Sequence, residues 1–175
     1  NLEAACVDEM IGIALRLHPQ QVTLVPEKRE EITTEGGLDV IRESARVAHA
    51  LAALRDEGIR TSLFIDPTPE MIEQSAKLGA DAVELHTGEY ARMPDDPATL
   101  RAISNAARDG AVAGLSIHAG HGLTAKNVGP VAAVPEIEEL NIGHSIISRA
   151  VFVGLVEAVA EVRRAMDAAR SRAEI

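Results

Sequence analysis

A parallel α/β barrel of the (β/α)8 TIM type is the fold the sequence predicts, here incomplete, with six β-α units and the first two missing. Three observations predict it. Short β-like runs alternate with longer helical patterns along the whole chain, which implies a parallel sheet with right-handed crossovers. The 175 residues divide into units of roughly 29, close to the unit length of a barrel of about 250 residues. The run "DAVELHT" points Val83 and Leu85 one way and Ala82, Glu84 and His86 the other. An open doubly wound sheet, the rival architecture, favours strands apolar on both faces. Polar side chains near a strand's C-terminal end suit a barrel mouth.

The elements follow in order. Strands are expected at "NLEA" (1–4), "QVTLVP" (21–26), "TSLFID" (61–66), "AVELHT" (82–87), "LSIHAG" (115–120) and "ELNIG" (139–143). Helical patterns fill the gaps: "EMIGIALRL", "DVIRESARVAHALAALRDEG", "EMIEQSAKLGA", "PATLRAISNAARDGA" and "AKNVGPVAAVP". One long final helix is expected from about Ser145 to Arg170. In the second of these, Val40, Ala45, Val47, Ala48, Leu51 and Leu54 recur at helical spacing, as a helix covering a sheet requires. Gly58, Gly79 and Gly114 stand between a helix and the next strand, where a left-handed cap belongs. Pro69 suits the first turn of a helix. Residues 1–175 read as a single, partial barrel domain. "NLEAA" has the character of a strand already under way, so about two units are expected ahead of it.

Composition narrows the partners. Hydrophobic residues make up 46% and charged residues 25%, ordinary for a globular domain, while aromatics are only 2%. The core must therefore be filled by Ala, Val, Ile and Leu. A net charge of −10 argues against nucleic acid or an anionic membrane as partner. It permits small anionic substrates, because backbone N–H groups bind phosphate locally. The sequence has one cysteine, Cys6, which suits a reducing compartment and hence the cytoplasm. No window approaches a membrane span. Metal-ligand spacing, a Walker loop, a dinucleotide fingerprint and a serine-hydrolase elbow are all missing from the pattern.

Two loops carry the candidate chemistry. "AGHG" and "IGH" end the last two strands, where such barrels bind phosphate. Gly120, Gly122 and Gly143 let the backbone approach an anion, and a helix N-terminus near His144 attracts it. The same glycines would also serve for tight turns alone. His121, between glycines at a strand end, is either an acid–base group or a turn histidine capping a carbonyl. Glu84 and His86 share a face as catalytic or merely satisfied inner polar groups. His118, within the strand, reads as structural. Glu3 ends the first strand as a general base or as a solvated terminal residue. The charged loop 25–40, with Thr33 and Thr34 before Gly36 and Gly37, is either a ligand-contact lid or a solvated connection.

Taken together, "NLEAA", "LVPEKREEITTEGGLDV", "SLFIDP", "VELHTGEYA", "AGHGLTAKNV" and "ELNIGHSIISRAVFVGL" resemble the pyridoxine 5′-phosphate synthase family, in order and over essentially the whole chain. The resemblance implies a cytoplasmic (β/α)8 barrel with extra helices, a homo-octamer working without metal or organic cofactor. It implies condensation of 3-amino-2-oxopropyl phosphate with 1-deoxy-D-xylulose 5-phosphate to pyridoxine 5′-phosphate, phosphate and water. It also implies Glu3 as general base, His121 as proton donor and Glu84 as transition-state stabiliser. Thr33 would contact the deoxyxylulose phosphate, and Gly122, Gly143 and His144 the amino-ketone phosphate. The chain departs from the family in lacking its first two units, with their phosphate-binding arginine and further catalytic histidine. His118 also departs from the family pattern and receives no role. Two rival expectations stand beside this one. The first is an inactive truncated barrel that binds phosphate ligands or needs a partner segment. The second is another phosphate-binding barrel, whose aldolase version is disfavoured by the lack of a strand-end lysine.

Overall fold

The computed structural model describes residues 1–27 and 36–173, with side chains described to residue 171. Six strands form one parallel sheet in sequence order: β1 (Leu2–Ala5), β2 (Gln21–Val25), β3 (Arg60–Ile65), β4 (Ala82–His86), β5 (Ser116–Gly120) and β6 (Ile137–Asn141). The helices between them are α1 (Asp8–Leu17), α2 (Ser44–Asp56), α3 (Pro69–Leu78), α4 (Gly88–Arg92), α5 (Pro97–Val112) and α6 (Val128–Ala132), followed by α7 (His144–Val153) and α8 (Leu155–Ala173). Every strand-to-strand step crosses through a helical connection, the order of a (β/α) barrel wall.

The sheet has two chemically distinct faces. Val22, Leu24, Leu63, Ile65, Val83, Leu85, Ile117 and Ala119 are fully buried in one cluster with Ala14, Val47, Leu51, Leu54, Ile72, Ile103 and Ala107 of the helices. Burying each large aliphatic side chain contributes about 1.5–3 kcal/mol, so this face holds the layers together. Alternation sends Thr23, Ser62, Phe64, Glu84, His86 and His118 to the opposite face, where they too are buried. Cys6, at the end of β1, is 3% exposed, and burial pushes its thiol up to about 11.

The rim at the N-terminal ends of the strands is closed by backbone geometry. Gly58, Gly79 and Gly114 all adopt positive φ (71°, 76° and 86°) after α2, α3 and α5, as their positions predicted. Pro69 opens α3 behind Thr68, whose hydroxyl accepts from the Met71 N–H. Asp81 accepts from both the N–H and the hydroxyl of Thr61, at 2.8 and 2.7 Å, stitching β3 to β4.

Four details differ from expectation. α2 begins at Ser44, and its buried stripe is Val47, Ala50, Leu51 and Leu54, while Ala45 and Ala48 are exposed. Val40 is buried ahead of the helix, because its backbone belongs to a turn after Leu38. β6 lies two residues earlier than expected, at Ile137–Asn141, with a register shift against β5 between Ile117 and His118. The final helix is two helices, broken at Gly154 with φ 82°. α7 buries no side chain, and Val151, Phe152 and Val156 are exposed around the break.

Candidate active site

Glu84 is the most consequential residue on the inner face. It is 4% exposed, and burial pushes its carboxyl up to about 7. The side-chain amide of Asn141, at the end of β6, donates to Oε2 at 2.8 Å and partly offsets that rise. The charges of Glu3 and Glu139 push it further up. Gly120, opposite His86 in the β4–β5 register, borders the carboxylate: a Cβ there would collide with Glu84 Oε1 and come within 2.9 Å of the Asn141 carbonyl. Glycine is required at 120 because the carboxylate occupies the volume of its missing side chain.

His86 points the same way, two residues on. Its Nδ1 donates to Asp66 Oδ1 at 3.1 Å, and Asp66, just beyond β3, also accepts from the Gly37 N–H at 2.9 Å. The hydrogen bond from His86 holds the Asp66 carboxyl below the usual carboxylate range. Nε2 of His86 is buried without a hydrogen-bond partner. Three rings cluster here: His86 is 4.9 Å from His121 and 5.1 Å from Phe64, centroid to centroid, and Phe64 is 6.5 Å from His121.

His121 follows β5 with φ 87°, a conformation rare for a residue with a side chain, and is exposed. The completely buried Thr87 sits beneath it. Its N–H donates to the Gly120 carbonyl at 2.8 Å, and its hydroxyl lies 2.7 Å from that oxygen and 2.6 Å from the His121 carbonyl. Gly122 has φ 75°, and a side chain there would press within 2.6 Å of Ala91. Asn127 braces the rest of the loop, accepting from Thr124 N at 2.7 Å and donating to the Gly122 carbonyl at 3.3 Å.

The loop after β6 is tied to this one: the Ser145 hydroxyl donates to the Leu123 carbonyl at 2.6 Å. Gly143 is the N-cap of α7, with no side-chain cap and φ −111°. Nothing lies within 4 Å of where its Cβ would be, so its backbone faces open space. His144, the first helical residue, is exposed beside it. An uncapped helix N-terminus next to a glycine loop is a place where an anion can be held by N–H groups.

The sheet thus brings Glu84, His121 and Gly122 to the C-terminal ends of β4 and β5, with Gly143 and His144 alongside at β6. Glu3 joins them through its charge on Glu84. Thr33 lies outside the described residues. His118 is 2% exposed with its Nδ1 unpartnered, and burial lowers its pKa, in keeping with a structural reading. Asp66, Thr87 and Asn141 escaped sequence reasoning, although each stands at a strand's end in a segment already marked: "SLFID", "ELHTG" and "ELNIG". Among the described residues no group of three or more His, Cys, Asp or Glu could hold a metal ion. The arrangement suits proton transfer near neutral pH beside an anion-binding rim.

Comparison with known proteins is consistent in sequence and in structure. The family model described as pyridoxal phosphate biosynthesis protein PdxJ matches residues 1–168. A pyridoxine 5′-phosphate synthase from Rhodopirellula baltica is 53% identical over 169 residues, which is 95% of this chain and 69% of that protein. One from Trichlorobacter lovleyi is 54% identical over 165 residues, 93% of this chain and 69% of the relative. Among solved structures, a chain of the Amycolatopsis orientalis BexX/CysO complex superposes with a TM-score of 0.65 at 17% identity, covering 95% of this chain and 62% of that one. At that identity the likeness concerns the fold alone.

Proposed function

The chain belongs to the PdxJ family, and on that premise we propose that it acts as a pyridoxine 5′-phosphate synthase in vitamin B6 biosynthesis. The reaction joins 3-amino-2-oxopropyl phosphate to 1-deoxy-D-xylulose 5-phosphate and releases pyridoxine 5′-phosphate, phosphate and water. Imine formation, dehydration and ring closure move protons repeatedly and transfer no electrons to or from the enzyme. One observation carries the reading: a buried carboxyl, Glu84, raised to about 7 behind two glycine loops that are tied to each other.

In this reading Glu3 removes protons as general base and His121 returns them as donor. Glu84, able to hold or release a proton near neutrality, stabilises the developing charge. Gly122, Gly143 and His144 contact the amino-ketone phosphate, with the N-terminus of α7 lending its partial positive charge. Thr33 contacts the other phosphate. Residues 1–175 act as a single, partial barrel domain in a cytoplasmic homo-oligomer, the octamer of the family. Exposed Val151, Phe152 and Val156 support self-assembly, and no described helix is long and apolar enough to cross a membrane.

The test is direct: incubate the full chain with both substrates and follow pyridoxine 5′-phosphate and phosphate together by chromatography. Equal amounts of the two, growing with time and enzyme, are expected. No product above the enzyme-free background overturns the reading, and substrate binding without turnover leaves a phosphate-binding domain in its place.

A further inference from the structure

Three side chains at the rim have no part in the reaction as assigned: Asp66, His86 and Thr87. Each bears on His121. A non-glycine residue at φ 87° is held against its backbone preference, so the surroundings must fix it there. Thr87 is placed to do this, because its hydroxyl reaches the carbonyls of Gly120 and His121, the peptide groups on either side of the His121 Cα. The single hydroxyl proton is shared between the two, and the Thr87 N–H secures the first independently. Both backbone torsions of His121 are thereby gripped from one buried residue.

The ring of His121 is supported by a second chain of contacts. Asp66, anchored by the Gly37 N–H, accepts from Nδ1 of His86 and so sets its tautomer and orientation. With Phe64 on another side, the His86 ring packs against His121. Gly88 leaves room for both rings: a Cβ there would stand 2.6 Å from His86 Nε2 and 3.2 Å from His121 Cδ2. We propose that Asp66, His86 and Thr87 are positioning residues for His121, Thr87 through its backbone and the Asp66–His86 pair through its ring.

This rests on His121 being the proton donor, and the experiment separates the two claims. The full chain is compared with Thr87→Val, Thr87→Ser and Asp66→Asn, reading kcat, the KM for each substrate, and the His121 ring signals in 1H–13C NMR spectra. Thr87→Val is expected to lower kcat about 10- to 100-fold, as misplacement of a proton donor does. Both KM values should stay within about twofold. Thr87→Ser keeps the hydroxyl and restores most of kcat. Asp66→Asn, at a half-exposed position, lowers kcat in the same manner. The His121 signals shift in the Val and Asn variants and stay put in the Ser variant. Unchanged kcat and ring signals in Thr87→Val, or equal damage from Val and Ser, overturn the proposal. Absence of turnover in the unsubstituted chain counts against the proposed function instead, and the ring signals then decide the positioning claim by themselves.

Discussion

The two ends of the sheet solve opposite problems with similar residues. At the N-terminal ends, Asp81 gives its carboxylate to the backbone and hydroxyl of Thr61, and three glycines turn the chain with their left-handed φ. The Asp81 carboxylate is used up by the fold itself. At the C-terminal ends, Glu84 is buried with one amide donor, His86 keeps a buried nitrogen without a partner, and His121 takes the left-handed conformation that glycine takes at the other end. The difference teaches that burial alone does not mark a site. Ser62 Oγ and His118 Nδ1 are also buried without partners. Unspent polar capacity therefore marks the site only where, as with His86 beside His121, it adjoins backbone held where it would not rest by itself.

Substitutions at either end sharpen that contrast. The largest effect is expected from His121→Ala, which should lower kcat by about 10²–10⁴-fold, the range of a lost acid–base group, with little change in melting temperature because the residue is exposed. Normal turnover in that variant would break the assignment of the C-terminal end as catalytic. Gly120→Ala comes next, since its methyl group meets Glu84 and the Asn141 carbonyl. It should cost about 1–3 kcal/mol in denaturant unfolding and displace the carboxylate, taking most of the activity with it. A fully active, equally stable variant would mean that Glu84 has room to move.

Glu84→Gln tests the raised carboxyl through pH. The folded state prefers Glu84 protonated, with its pKa near 7 in place of the ordinary 4.5. Below about pH 4.5 the group is neutral in both states and costs nothing. From there upward the unfolded chain ionises first, so stability falls until the pH passes about 7, by about 3 kcal/mol at most. Glutamine should flatten that segment of the stability–pH curve, and an unchanged slope would show that the carboxyl ionises normally in the fold. The smallest effect belongs to the other end. Thr61→Val should cost about 1 kcal/mol through the lost hydroxyl bond to Asp81 and leave kcat as it was. A loss of activity as large as that of His121→Ala would erase the distinction between the ends.

Much of this was legible in the sequence, for reasons that differ from residue to residue. Alternation of apolar strands with amphipathic segments is a local signal, and the six strands and their parallel order follow from it. Gly58, Gly79 and Gly114 announce helix ends because a left-handed residue is required there. The one-turn helix α4 has too few residues to show a period. The break at Gly154 was hidden because Leu155 resumes a helical pattern at once. Within the site, Glu84 and His121 stand out by residue type and place. The partnerships of Asp66 with His86, Thr87 with His121, and Asn141 with Glu84 join residues 20, 34 and 57 positions apart. Periodicity does not encode such pairs; only the strand register brings them together.

The buried Cys6 has a practical corollary. With so little thiolate at neutral pH, the native chain should be indifferent to alkylating labels and mild oxidants. Any modification of Cys6 therefore times the moments when the first strand lifts off its neighbours. Because Glu3 rides on that strand, such labelling doubles as a clock for how often the proposed general base strays from its post.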